Sequence, residues 1–295
     1  MNEMQWDLSH LVESTDPDHI VKRLEEMVAE ASAMNERYRG RIKDLDAKGL
    51  FDLLEARDDL SLEYEGAAMY CKLLYSADST DPVAQQLNDA MRRASVRAGQ
   101  QLAFMELELG ELLAARPELV NAPELEEFRH LLERILRRVP HQLSEVEERL
   151  AMSKDQNGID AWSQLQGDWL STRTFRITID GEEKELPYGQ IIGLYEDPRR
   201  DVRKEANRVV YDTLGKDEIL WSSALRSICA DHVQMCDWRK YPSVLTQSLI
   251  ANDIEEDAVH ALMRTIERNV GVYQRYLRLK ATLMDLPRLG NWDII

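Results

Sequence analysis

Between Ile20 and Leu112 apolar side chains recur at intervals of three and four, the spacing of one face of an α-helix, and this periodicity leaves little room for any fold but a helical one. Asp16-Pro17 reads as an N-cap with proline at the first helical position. From there Ile20, Leu24, Met27, Val28, Ala31, Met34, Tyr38, Ile42 and Leu45 describe one helix of about seven turns. A second begins near Gly49, carries Leu50, Leu53, Leu54, Leu60, Tyr64, Ala67, Cys71 and Leu74, and ends in the polar run Ser76 to Thr80. Asp81-Pro82 repeats the cap-and-proline start for a third, through Leu87, Met91, Ala94, Ala98, Leu102, Met105, Leu109 and Leu112. Short polar connections make such helices antiparallel neighbours.

The chain then shortens its stride. Pro117 and Pro123 interrupt it, a helix with Leu125, Phe128, Leu131, Leu132, Ile135 and Leu136 runs to Pro140, and Ser144 with Glu147 forms a capping box for a helix holding Leu150 and Met152. Asn157-Gly158 breaks that helix, and Ala161 to Leu170 makes the next. Thr174 to Leu186 changes period: Phe175, Ile177 and Ile179 alternate with Arg176, Thr178 and Asp180, and Asp180-Gly181 supplies a positive-φ turn, so a β-hairpin is expected with its apolar face on helices. Pro187 starts a helical turn, Asp197-Pro198 gives the third cap-and-proline start ahead of Val202, Ala206, Val209 and Val210, and Ile219 to Met235 is helical. A polar loop, Asp237 to Thr246, precedes a last helix from Glu255 to Leu283. No fixed period recurs, which argues against a helical-repeat array. The fold class is mainly α, multi-helical, with one small β-hairpin near 174–186. The organisation expected is a long-helix bundle over 1–115, shorter helices plus the hairpin over 116–195, and a further region over 196–295.

With 54 acidic against 37 basic residues the chain has a formal charge of −17, a field that repels phosphate backbones and anionic lipid, so neither nucleic acid nor membrane is an expected partner. No apolar run reaches the roughly 20 residues of a membrane span, and MNEMQWDLSHLVES has neither the basic region nor the apolar core of a signal peptide, which points to the cytoplasm. Trp6-Asp7-Leu8 with Leu11 reads as a short docked segment. The three cysteines, Cys71, Cys229 and Cys236, read as small buried hydrophobes, because no CxxC motif is present to supply a ligand pair. The apolar end Leu289 to Ile295 suggests a polypeptide cut inside a larger fold.

A single-helix zinc hydrolase site would need HExxH, and none of His10, His19, His130, His141, His232 and His260 lies in one. His130 and His141 read as solvent-facing residues at helix ends. GxSxG, GxxxxGK[ST] and GxGxxG are also missing. The acidic groups at Glu145, Glu147 and Glu148 and at Asp253, Glu255, Glu256 and Asp257 are accounted for by helix dipoles. Trp238-Arg239-Lys240-Tyr241 is an aromatic-basic loop with two readings, ligand contact or interhelical packing. No complete active site is legible.

In order along the chain, Trp6-Asp7-Leu8 with Leu11, Leu74 to Asp78, FRITIDG at 175–181, Asp197 to Arg203 with Ala206, Arg239-Lys240-Tyr241 with Ser248-Leu249 and Asn252, and Tyr273, Tyr276, Leu279 and Lys280 resemble the oligoendopeptidase F branch of the M3 zinc metallopeptidases, the thimet-oligopeptidase-like enzymes. The resemblance implies a helical, two-lobed metalloendopeptidase about twice this length that hydrolyses short unstructured peptides. Its HExxH motif and glutamate ligand would lie beyond Ile295, so no catalytic residue and no metal ligand carries over to this chain, and zinc belongs to the full-length parent only. Residues 196–295 would be the start of the catalytic domain. This part would form a wall of the substrate channel, with Trp238, Arg239 and Tyr241 as channel candidates, the C-terminal catalytic half as partner, and no activity alone. The rival reading is a stand-alone helical module that binds a protein or peptide without catalysis.

Overall fold

Proline opens the first and third long helices as the cap signals require: α1 (Pro17–Tyr38), α2 (Ala47–Ala77) and α3 (Pro82–Ala115). In this computed structural model, which describes residues 6–294, the carboxylate of Asp81 accepts from the N–H groups of Val83 and Ala84 at 2.7 and 3.2 Å, and that of Asp46 accepts from Gly49 at 2.8 Å. Asp16 stands at the N-cap position of α1, yet its side chain makes no capping bond. Residues 1–5 of the opening stretch and Ile295 of the apolar end lie outside the described residues.

The chain divides into two units, residues 1–161 with 233–244 and residues 162–232 with 245–295. In the first, α1 lies along α3 and against α2, and Ile20, Leu24, Leu50, Leu53, Leu54, Leu87 and Leu109 form the centre of a core that water does not reach. The helix expected to run to Leu45 stops at Tyr38. Gly40 takes a φ of +74°, turning the chain, and Ile42 reaches the same core from a 3-10 turn at Ile42–Asp44. Leu8 and Leu11 dock on the core as expected, whereas Trp6 does not, being 91% exposed. The Leu11 carbonyl oxygen lies 2.2 Å from where a Cβ on Gly66 would stand, so α2 needs glycine there. Two 3-10 turns (Pro117–Asn121 and Pro123–Phe128) lead to α4 (Arg129–Arg138), and after a turn at Val139–His141 comes α5 (Glu145–Asn157).

Helix α6 (Ile159–Thr172) leads into β1 (Thr174–Ile179) and β2 (Glu182–Pro187), antiparallel, with Ile177 opposite Lys184. Asp180 and Gly181 both have positive φ, +55° and +81°, the backbone of a two-residue type I′ turn. Then come α7 (Tyr188–Gly193), a 3-10 turn, α8 (Arg200–Gly215), α9 (Glu218–Trp238), α10 (Val244–Asn252) and α11 (Glu256–Leu283). In the second unit the inner face of β1, Phe175, Ile177 and Ile179, is buried with Ile191 of α7 and with Val202, Ala206, Val209 and Val210 of α8. Helix α8 begins at Arg200 with Arg199 in the cap position, because Asp197 accepts instead from the Arg199 N–H at 2.8 Å and its Nε at 3.1 Å. Trp169 meets Trp221 edge to face at 4.8 Å and donates from Nε1 to Asp217 at 2.8 Å. Among the cysteines Cys71 and Cys236 are buried, but Cys229 is exposed. Its place two turns before Cys236 on α9 sets the direction of the side chain without guaranteeing a neighbour to cover it. No helix among the described residues is long and apolar enough to cross a membrane.

Candidate functional site

Helix α9 ends in a Schellman motif. Lys240 takes the left-handed conformation (φ +55°), the Tyr241 N–H reaches back to the Cys236 carbonyl at 2.9 Å, and the Lys240 N–H to that of Asp237 at 3.1 Å. The loop expected from Asp237 is therefore shorter: Asp237 and Trp238 are the last residues of the helix. The motif fixes Trp238, which is 53% exposed.

Opposite it in the first unit stands α5, whose start is set by the capping box. The Ser144 N–H donates to Glu147 at 2.9 Å, and the Glu147 N–H donates to the Ser144 Oγ at 3.4 Å. The Ser144 hydroxyl and N–H together hold the Glu147 carboxyl below the usual carboxylate range, so it is anionic at neutral pH. Helix α5 leaves Val146 and Leu150 exposed, at 77% and 66%. Between it and the end of α9 lies a half-open cleft of about 360 Å³, lined by Leu143, Leu150, Ala151, Met235 and Trp238, with Glu147 and Lys154 as its charged members. This volume falls in the range of sites that hold a small ligand or one or two side chains.

Of the three residues singled out in the sequence, Trp238 lines this cleft. Arg239 is engaged elsewhere: Nη1 and Nη2 donate to Glu148 Oε1 and Oε2, both at 2.7 Å, in a fork that is largely buried. The Glu148 carboxylate raises the Arg239 pKa further, against the opposing effect of burial. Tyr241 stacks on the His141 ring at 4.1 Å, and His141 Nδ1 lies 3.1 Å from the Arg239 carbonyl oxygen. A carbonyl can only accept, so this bond requires a proton on Nδ1. His141 is thus half-buried and held by Tyr241 and the Arg239 carbonyl, not the solvent-facing residue expected, while His130 is exposed. Glu148→Ala should leave the guanidinium of Arg239 part-buried without its partner and cost about 2–3 kcal/mol in denaturant titrations. Adding Arg239→Ala should restore part of that loss.

Leu143, Leu150 and Met235 went unnoticed in the sequence as cleft residues. The spacing Val146 to Leu150 on an otherwise charged helix was the available signal, and it announces an apolar face without saying what faces it. A second cleft of about 200 Å³ is lined by Arg57, Arg134 and Arg138 with Glu106 and several apolar residues. Glu106 lies 3.1 Å from Arg138 and Asp58 3.0 Å from Arg57, so the cleft presents less positive charge than its residue types suggest.

Among the described residues no three His, Cys, Asp or Glu side chains come together as a metal-ligand set. His260 with Glu256 at 3.5 Å and His130 with Glu133 at 4.0 Å lie on exposed helix faces, and neither pair belongs to such a set. A zinc site takes at least three protein ligands, so these residues do not fit one.

The oligopeptidase F family model matches residues 113–175, from the end of α3 to the start of β1. Group B oligopeptidase PepB of Streptococcus agalactiae is 25% identical over 296 aligned residues, which cover 98% of this chain and 48% of that protein. Oligopeptidase PepF of Bacillus subtilis is 24% identical, over 88% of this chain and 39% of its own. Among solved structures, oligoendopeptidase F from Enterococcus faecium superposes with a TM-score of 0.78 at 22% identity, over 94% of this chain and 55% of that one, a likeness of fold. The chain spans about half the length of these curated relatives.

Proposed function

We propose, from the premise that this chain resembles the oligopeptidase F proteins along nearly its whole length and spans about half of theirs, that it is the N-terminal portion of a zinc-dependent M3 oligoendopeptidase acting on short unstructured peptides. The observation that carries this reading is the pair of coverages against PepB, 98% of this chain and 48% of the relative. In this reading residues 196–295 begin the catalytic domain, and the partner is the C-terminal half. The enzyme works in the cytoplasm.

The role assigned to this part is that of a channel wall. Rigid helices select a peptide by length and lack of structure more than by sequence, and the cleft beside Trp238 offers an apolar seat for a side chain of a passing substrate. Arg239 and Tyr241 support that seat by holding the end of α9 against α5 and His141. Zinc, when bound to such an enzyme, supplies a Lewis acid and an activated water. The residues described here do not fit it, so no step of hydrolysis is assigned to them.

The 295-residue chain by itself is expected to bind no stoichiometric zinc and to leave a quenched fluorescent oligopeptide uncut. Tight zinc at one equivalent with robust turnover would overturn the assignment. A second reading, a stand-alone peptide-binding module, is favoured by the fact that the Trp238 cleft is complete within the first unit. Quenching of tryptophan emission by apolar peptides, undiminished when the chain is the whole gene product, would select it.

A further inference from the structure

Helix α11 is dressed for an interior it does not have. None of its 28 residues is buried. Yet Leu262, Ile266 and Tyr273 follow one row along it, and Tyr276, Leu279 and Leu283 follow the next, all of them between 50% and 78% exposed. At about 100° per residue the two rows span roughly 140°, and Met263 and Val270, 48% and 47% exposed, widen the apolar arc to about 200°, whereas a helix meant for a surface keeps a narrower apolar stripe. Such a helix lowers its free energy by being covered. Its polar residues also break with the rest of the chain: in a protein of net charge −17, positions 264–283 carry five basic residues, Arg264, Arg268, Arg275, Arg278 and Lys280, against the single acid Glu267.

We propose that this face of α11 seats the remaining half of an oligopeptidase F-type polypeptide, through an apolar surface with an acidic border. The inference rests on the half-enzyme reading above. Length names the occupant. PepB aligns with 98% of this chain but with only 48% of itself, so a body of similar size is unmatched in the relative and is available to cover the helix. Charge narrows the choice at the edge of the face, since Lys280 lies within the apolar arc and Arg268 and Arg275 border it beyond Leu279, which favours a partner of the opposite sign over a second copy. The breadth of the apolar arc disfavours a lipid surface, which covers one side of a helix only.

The test places a thiol on the face by Ile266→Cys, with Tyr273→Cys as a second site. Both positions are exposed, so the fold should be kept, which circular dichroism verifies. Maleimide labelling at the new cysteine is followed by peptide mass spectrometry in the 295-residue chain and in the longer polypeptide encoded by the frame continued past codon 295. Labelling is expected to be fast in the first and about 100-fold slower in the second, as for a site that must open before it reacts. A frame that stops at codon 295 would defeat the half-enzyme reading and remove the occupant with it. A frame that continues while both chains label equally fast would overturn only the seating of α11. Protection in the short chain that rises with its own concentration would make the occupant a second copy, and protection by anionic phosphatidylserine vesicles would make it a lipid surface. Either result overturns the proposal.

Discussion

Ile177→Asp is expected to cost the second unit about 4 kcal/mol or more, a large share of what holds a domain folded. Ile177 is 1% exposed, on the inner face of β1 between Phe175 and Ile179, and the helices beneath it contribute Ile191, Val202, Ala206, Val209 and Val210. None of those buried neighbours carries a side-chain donor for a carboxylate. Lys184 is the residue directly across the ladder and is exposed, so pairing with it would draw a second charge out of water. Urea titration followed by far-ultraviolet circular dichroism measures the loss. Thr178→Ser, on the outer face, should stay within about 0.5 kcal/mol. An unchanged midpoint for the aspartate variant would show that the hairpin is not seated on α7 and α8.

The other large effect is expected at Asp293. Its side chain is fully buried, and four donors converge on it: Arg200 Nε and Nη2 at 2.9 Å each, Arg203 Nη2 at 3.3 Å and the Gly290 N–H at 2.8 Å. Arg203 also donates to the carbonyls of Trp292, Asp197 and Pro198, so one guanidinium ties the start of α8 to the 290–293 segment. Asp293→Ala leaves Arg203, also buried, without its counter-charge and should cost about 3 kcal/mol at neutral pH. Burial alone would raise the Asp293 pKa. Arg200, the Gly290 N–H and Arg203 outweigh it, and the net position is below the ordinary 3.8. A carboxyl lowered by folding contributes stability that is complete above its unfolded pKa and is lost as pH falls through the folded one. Thermal melts of the parent and of Asp293→Asn should therefore differ fully at pH 7 and draw together in acid, below about pH 4. A gap that stayed constant into acid would show that the carboxylate charge is not the source of the stability.

Both sites show how far linear reading reaches. The hairpin around Ile177 was legible because everything that makes it is local: a two-residue period in β1 and an Asp-Gly turn whose positive φ the structure reproduces. The long helices were legible for the same reason, and Asp81-Pro82 does cap and open α3 as its residue types require. Errors appeared where a local signal had a competitor. Gly40 ended α1 while the apolar spacing carried on to Ile42, because a residue can reach the core from a turn as well as from a helix. The aromatic-basic segment at 238–241 stays open in the sequence between ligand contact and interhelical packing, since residue types alone do not show that Arg239 has a partner 91 positions away in Glu148. The cleft itself was half legible: Trp238 was named, while Leu150 and Met235, which lie far apart in the chain, were not.

By itself, then, the sequence determined what depends on neighbours within a few positions: helix and strand periods, proline starts, the capping box at Ser144, the Asp180-Gly181 turn and, through ordered short matches, the likeness to oligoendopeptidase F. Tertiary structure decided what covers each apolar face and which charges find partners. It paired Arg239 with Glu148, gathered Arg200 and Arg203 on Asp293, stacked His141 on Tyr241, and left Cys229 and the apolar rows of α11 open to solvent. The reason is physical. Backbone preference and periodicity are properties of a segment, whereas burial and ion pairing are properties of two surfaces brought together, and a segment specifies only its own.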